Sequence, residues 1–301
     1  VAELYRPGPD RSLHSLWSTH TSFGPQTLHD LRSISTSVTG LLYGILLHRG
    51  EVPALDTPVP ALFPEHPHLA DPARQAIRIR HLLTMSAGLD WTEPSPVRRV
   101  TSSDETGLTY RRTAYPYVFA RPVTAPPGQV FTYSGGLTAV LAEIMVRATG
   151  RLLREIAAAE LFTPLGITSW EWVGNLFGTP LAAAGLRLRP RDLLKIGAMM
   201  LNEGTWQGRQ IVPAVWIAES TAPHIPAEPL GAYGYQWWAT ATPWRGHSLP
   251  TATAIGNGGQ RLTLVPALGV AIAITAGDYN SPAINRALDE TLKTLVATIK
   301  P

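Results

Sequence analysis

Residues 30–50 read "DLRSISTSVTGLLYGILLHRG". Between residues 33 and 49, Ile34, Val38, Leu41, Leu42, Ile45 and Leu46 recur at helical spacing, and Gly50 ends the run. Ser33, Ser37, Gly40 and Gly44 form a second stripe of small residues, which suits a helix packed closely against its neighbours. Four hydroxyl residues, Ser33, Ser35, Thr36 and Ser37, crowd the mouth of this apolar helix. A hydroxyl there meets unpaired N–H groups and the positive end of the helix dipole, which favours alkoxide character. Residues three apart share a helix face, so positions 33 and 36 can serve one site. Taken alone, Ser33 reads more readily as a plain N-cap than as a catalytic group.

Outward from this helix, the chain of 301 residues is 45% apolar and 16% charged, a globular composition. Its net charge of +3 comes without any Lys/Arg block, so no nucleic-acid or membrane partner is expected. No apolar run is long enough and free enough of glycine to span a bilayer, and a soluble protein is expected, with its compartment and oligomeric state open. Cysteine is absent, which excludes disulfides, thiol catalysis and thiolate-bound metal. The histidines show no metal-protease spacing, and no phosphate-binding or dinucleotide glycine pattern occurs, so no metal and no cofactor is expected. The chain opens inside a strand-like "VAELY" (residues 1–5), as if trimmed.

Residues 51–130 are proline-rich and read as loops and short helices, "IRIRHLLTMSAGL" being the clearest. Helices are expected over about Leu137–Ala148, in "RPRDLLKIGAMMLNEG", and over Ser281–Ile299. "YGYQWWATA", "TATAIG", "RLTLVP" and "GVAIAITAG" are β-branched or aromatic runs punctuated by turn residues. A helical middle followed by hairpin-spaced strands, without βαβ alternation, predicts an α+β fold. The expected division is a discontinuous sheet domain, residues 1–30 and 205–301, and a mainly helical domain, residues 31–204, carrying the Ser33 helix.

Two further stretches bear chemistry. In "PGQVFTYSGGLTAV", Tyr133 precedes a helix and two glycines. In "AIGNGGQRLTLV", Gly256, Gly258 and Gly259 around Asn257 suggest a strand edge bare enough to offer N–H groups to a substrate carbonyl. A buried tyrosine and a tight hairpin turn explain these stretches as well.

Taken in order, "LHDLRSISTSVTGLLYGIL", "IRHLLTMSAGLDW", "PGQVFTYSGG", "LRLRPRDLLKIGAMMLNEGTWQGRQIVP", "YGYQWW" and "GNGGQ" resemble the serine β-lactamase-like hydrolases. These comprise class C β-lactamases, DD-peptidases and esterases, and the resemblance is nearest to the branch containing 6-aminohexanoate-dimer hydrolase. It spans nearly the whole chain and implies an antiparallel sheet flanked by helices, beside a mainly helical domain, with the active site between them. Members of the family usually carry one more strand and helix before the position of Val1.

The resemblance implies Ser33 as the nucleophile of an acyl-enzyme, Tyr133 as proton shuttle, and the N–H groups of Ser33 and Gln260 as oxyanion hole. It places Trp91, Gly135, Asn257, Gly258, Gly259 and Trp237 against the substrate. Trp170, Trp172, Tyr115, Tyr117 and Trp238 also fall in segments that border the family's cleft, and such an aromatic cleft would suit an uncharged ester or linear amide.

Three positions depart from the family pattern. Gly135 stands where Tyr-x-Asn has Asn, and Asn257 where Lys-Thr-Gly has Lys. Both changes occur in the amidase and esterase branches. Thr36 stands where Ser-x-x-Lys has its lysine. A threonine cannot take the serine proton, and a tyrosine of pKa about 10 is phenolate only about one part in a thousand at pH 7, a cost of roughly 4 kcal/mol. Thr36 is either an introduced substitution or a natural loss. The alternatives are an impaired or altered hydrolase acting on a small-molecule ester or amide, and a ligand-binding protein on a dead hydrolase scaffold. Lys195 lies in a helix the family already has and is not expected to substitute; His29 and His247 read first as surface or structural histidines and only second as a stand-in base, and Arg32 cannot act as one.

Overall fold

The computed structural model describes residues 24–93 and 103–300. The expected strand at residues 1–5 lies outside them. In chain order the elements begin with β1 (His29–Asp30), α1 (Ile34–His48), α2 (Pro72–Gln75), α3 (Ile79–Leu83), α4 (Asp104–Leu108), α5 (Tyr115–Phe119), α6 (Gly135–Thr149) and α7 (Leu153–Ala157). They continue with β2 (Trp170–Trp172), β3 (Leu186–Leu188), α8 (Pro190–Leu201), β4 (Thr205–Trp206), β5 (Arg209–Gln210) and α9 (Ala214–Thr221). The chain then runs β6 (Ile225–Pro226), β7 (Ala232–Tyr233), β8 (Trp238–Trp244), β9 (His247–Gly256), β10 (Gln260–Val265), β11 (Val270–Ile274) and α10 (Pro282–Ala297).

The last six strands form one antiparallel meander ordered β11-β10-β9-β8-β7-β6. Every residue of β10 is buried, so both of its faces are covered. On one face, a side chain at Gly197 of α8 would collide with Leu262 and Ala271. On the other, Arg261 donates to Asn285 of α10 at 3.1 Å. A separate three-stranded sheet, β1-β3-β2, holds the approach to α1: His29 pairs with Leu188 and Asp30 with Arg187.

Helix α1 is the axis of the core. Its apolar stripe is buried, and its small residues make the close contacts expected of them. A methyl group at Gly44 would sit 2.1 Å from the Trp216 ring of α9, whose Nε1 donates to the Gly40 carbonyl at 3.0 Å. Ser37 donates to the Gln236 carbonyl at 2.6 Å and Thr39 to Ala182 at 3.0 Å. The hydroxyl-rich mouth is therefore mostly a set of tethers, with each buried hydroxyl satisfied.

The expected helices are present. Helix α6 starts two residues before the expected Leu137, because Ser134 caps it by accepting from the Leu137 N–H at 3.3 Å. The segment "YGYQWWATA" is not one continuous strand. It breaks between β7 and β8, where Gln236 takes a left-handed backbone (φ +66°) and turns its side chain into the core.

Candidate active site

Ser33 occupies the N-cap position of α1, but its hydroxyl makes no capping bond and is free for other partners. Arg32 before it has a left-handed backbone (φ +49°), a sharp turn into the helix, and Ser33 itself already has a helical backbone (φ −68°, ψ −3°). The Arg32 guanidinium is held by Asp30 at 3.3 Å and lies over the Tyr279 ring at 4.8 Å. Half-buried Ser33 lines a cavity of about 800 Å³ with Arg32, Glu105, Gly135, Asn257 and Tyr279.

Tyr133 enters from the segment before α6. Its hydroxyl is hydrogen-bonded with Ser33 and lies 3.4 Å from the Thr36 hydroxyl, which also faces the Ala183 carbonyl at 3.4 Å. The Trp238 ring stacks on the Tyr133 ring (6.1 Å between centroids, 13° between planes) and fixes its plane. Three hydroxyls drawn from distant stretches of chain thus meet at the α1 mouth. Burial pushes the Tyr133 phenol well above its ordinary pKa; the bonds with Ser33 and Thr36 offset part of this, and the charges of Glu93 and Glu105 add to it. The phenolate is scarcer here than in a free tyrosine.

The "GNGG" stretch forms the β9–β10 turn, with Gly256 paired to Gln260. It meets the turn before α1 at Gly256, where a methyl group would sit 2.2 Å from the Leu31 carbonyl. Gly258 and Gly259 have left-handed backbones, and their missing side chains make room for Tyr279 and for Leu288 of α10 respectively. Asn257 lines the cavity and exchanges hydrogen bonds with Asn280 at 2.8 and 2.9 Å. Gln260 is fully buried, its side chain locked to Ala276 by bonds of 2.5 and 3.2 Å.

The aromatic expectation needs correction. None of Trp91, Tyr115, Tyr117, Trp170, Trp172, Trp237 and Trp238 is among the residues lining this cavity. Trp237 is 1% exposed and sits in the core, Tyr115 stacks on Phe63 at 3.8 Å, and Trp170 and Trp172 pack on Phe162. Trp91 is 7% exposed and fills the space left by Gly136. Large rings contribute more by leaving water than by facing a wet cleft. Aromatic lining comes instead from Tyr279 and Phe177.

Lys195 and His247 are held at other places in the fold. Lys195 is tied to Asp192 at 2.9 Å and to the Gly166 carbonyl at 2.7 Å. His247 starts β9 and so lies about 30 Å along the strand from Gly256. His29 is buried in β1, opposite Leu188.

Sequence reasoning passed over a pair of acids. Thr92 and Asp104 exchange bonds of 2.8 Å, Asp104 N–H to Thr92 carbonyl and Thr92 N–H to Asp104 carboxylate. This clasp sets Glu93 beside Glu105, and the two carboxyl groups are hydrogen-bonded to each other. Glu93 also accepts from the Trp91 indole and the Gly135 N–H, both at 2.6 Å. Burial pushes both carboxyls above the usual range; the charge of Glu105 lifts Glu93 further, and the bond with Glu93 and the charge of Arg32 restrain Glu105. No sequence period links residues 93 and 105, so only the clasp could reveal them.

Among the described residues, no group of three His, Cys, Asp or Glu side chains could hold a metal ion, and no helix is long and apolar enough to cross a membrane.

The Beta-lactamase family model matches residues 12–293. A 6-aminohexanoate-dimer hydrolase of Paenarthrobacter ureafaciens is 28% identical over 284 residues, 88% of this chain and 67% of that protein. Esterase EstB of Burkholderia gladioli is 34% identical over 159 residues, covering 49% of this chain and 39% of the esterase. The octameric penicillin-binding protein homologue of Pyrococcus abyssi superposes with a TM-score of 0.68 at 20% identity, covering 92% of this chain and 67% of that one. At that identity it speaks for the fold.

Proposed function

The chain belongs to the Beta-lactamase family, whose members similar to it include an esterase and an amide hydrolase, and on that footing we propose that it is a serine hydrolase cleaving an ester or linear amide through an acyl-enzyme on Ser33. The observation that carries this is the meeting of Ser33, Thr36 and Tyr133 at one cavity-lining helix mouth. Ser33 Oγ attacks the substrate carbonyl, Tyr133 relays protons between Oγ, leaving group and water, and the N–H groups of Ser33 and Gln260 receive the oxyanion. Gly135 and Asn257, both on the cavity wall, contact the substrate, and Gly258 and Gly259 shape the turn that carries Asn257. With Asn257 in place of a cation, a neutral substrate fits better than one bearing a carboxylate.

Thr36 lowers the rate, because no lysine beside Ser33 accepts its proton. That same observation favours a second reading, a ligand-binding protein on an inactive scaffold. Incubation with a fluorophosphonate or an activated p-nitrophenyl ester, followed by mass spectrometry, separates them. The hydrolase reading expects an adduct on Ser33 that is lost in Ser33→Ala. Binding without any adduct, even in Thr36→Lys, supports the inert scaffold.

A further inference from the structure

We propose that Glu93 and Glu105 act as one proton-sharing acid pair and that Glu105, through the cavity it shares with Ser33, accepts the proton for which Thr36 offers no base. This rests on the acyl-enzyme reading above.

The argument begins with contact. Two carboxyl groups hydrogen-bonded to each other hold a proton between them, since both cannot be ionised at that separation. One member is then an anion at neutral pH, and the pair can take a second proton. Glu93 is pinned by the Gly135 N–H and the Trp91 indole, but burial and the charge of Glu105 outweigh those bonds and leave the shared proton on Glu93, while the bond from Glu93 and the charge of Arg32 favour the anion on Glu105. Glu105, on α4, lies close to Gly135 on the wall of the cavity that Ser33 also lines.

The second observation is the space at position 135. A side chain there would begin 3.4 Å from a Glu93 oxygen, 3.6 Å from a Glu105 oxygen and 3.1 Å from the Ala183 methyl. A methyl group there would be tight against Ala183 and in ordinary contact with both acids, so the two carboxyl groups border the space beside Gly135 where Tyr-x-Asn has its asparagine.

Among the described residues, the charged and titratable groups facing the pair are Arg32 from the turn before α1, Tyr133 from the segment before α6, and Asp104 on α4 itself, the last paired to Arg121 at 2.7 Å. Arg32 supplies positive charge without supplying a base.

The proton steps balance. As the Ser33 Oγ–carbonyl carbon bond forms, the Oγ proton passes to the anionic member of the pair. As the tetrahedral adduct collapses and the carbon–leaving-group bond breaks, that proton goes to the departing oxygen or nitrogen. In deacylation, water gives a proton to the pair as it attacks, and the proton returns to Ser33 Oγ as the acyl bond breaks.

The test is the pH dependence of Ser33 acylation by a p-nitrophenyl ester, with Glu105→Gln, Glu93→Gln and a Thr36→Lys/Glu105→Gln double variant. Wild type should show acylation rising with pH through one ionisation above the ordinary carboxylate value of about 4.3. Glu105→Gln should lose that rise and slow acylation by about a hundredfold, while melting no lower than wild type. Glu93→Gln should move the ionisation up, because Glu105 then loses the acid hydrogen bond from Glu93 that restrains it. The double variant should recover acylation with a different profile. A Glu105→Gln enzyme with the wild-type profile and a rate within about threefold of wild type overturns the proposal. So does a wild type that is not acylated when Thr36→Lys is. Absence of a Ser33 adduct in every variant refutes the acyl-enzyme reading itself.

Discussion

Ser33, Thr36 and Tyr133 bring three hydroxyls and no amine to the α1 mouth. Burial raises the Tyr133 phenol, so deprotonation becomes harder as water is excluded, opposite to what a base requires. Thr36→Lys places a cation beside that phenol and should raise acylation by about ten- to a thousandfold, read by stopped-flow release of p-nitrophenol. Tyr133→Phe in the Thr36→Lys background should remove most of that gain; an undiminished rate would assign the relay elsewhere. The acid pair also predicts a stability effect. Carboxyls whose folded pKa lies above the unfolded value favour the fold below the unfolded value and lose that contribution as pH rises through the folded one. Glu105→Gln should therefore melt higher than wild type at pH 8 and close to it at pH 4. Equal melting temperatures at both pH values would show that the pair carries no proton into the neutral range.

At the scale of elements, the second stripe of α1 decides how tightly the helix can be held. Gly44 leaves the space that the Trp216 ring fills, so Gly44→Ala should destabilise by about 1–3 kcal/mol in urea unfolding. Gln236 is the junction between α1, α3 and α6. Its side chain donates to the Leu82 and Leu83 carbonyls at 3.0 Å each and accepts from Thr138 at 2.7 Å, while its own carbonyl accepts from Ser37. Gln236→Ala strands several buried partners and should cost about 2–4 kcal/mol. The far end of α1 is fixed electrostatically: Arg49 and Arg151 each reach Glu160 at 2.6 Å. Burial alone would raise Glu160, but the two arginines outweigh it and hold the carboxyl below its usual range. Its contribution is present above the unfolded carboxylate pKa and lost as pH falls through the folded one. The melting-temperature deficit of Glu160→Gln should be largest near neutrality and vanish in acid.

Across the whole molecule, the proposed site depends on the β9–β10 turn meeting the turn before α1. Gly256 permits that approach, and Gly256→Ala should impair acylation more than it lowers stability, as the misfit against Leu31 falls on the site. We propose the two-part division at residues 30/31 and 204/205 as a working description; α8, from the helical part, packs on the sheet at Leu262 and Ala271. The sequence by itself determined the helix of residues 33–49, its small-residue stripe, the terminal strands and helix, and the motif positions of Ser33, Tyr133 and Asn257. Each of these is written in local periodicity, turn chemistry or a short ordered motif. Only the tertiary structure decided that Trp237 and Tyr115 are core, that Gly256 makes the close approach, and that Glu93 meets Glu105. Those outcomes depend on which faces of distant segments come together, and neither the spacing of residues along one segment nor their hydrophobicity encodes a partner supplied by another.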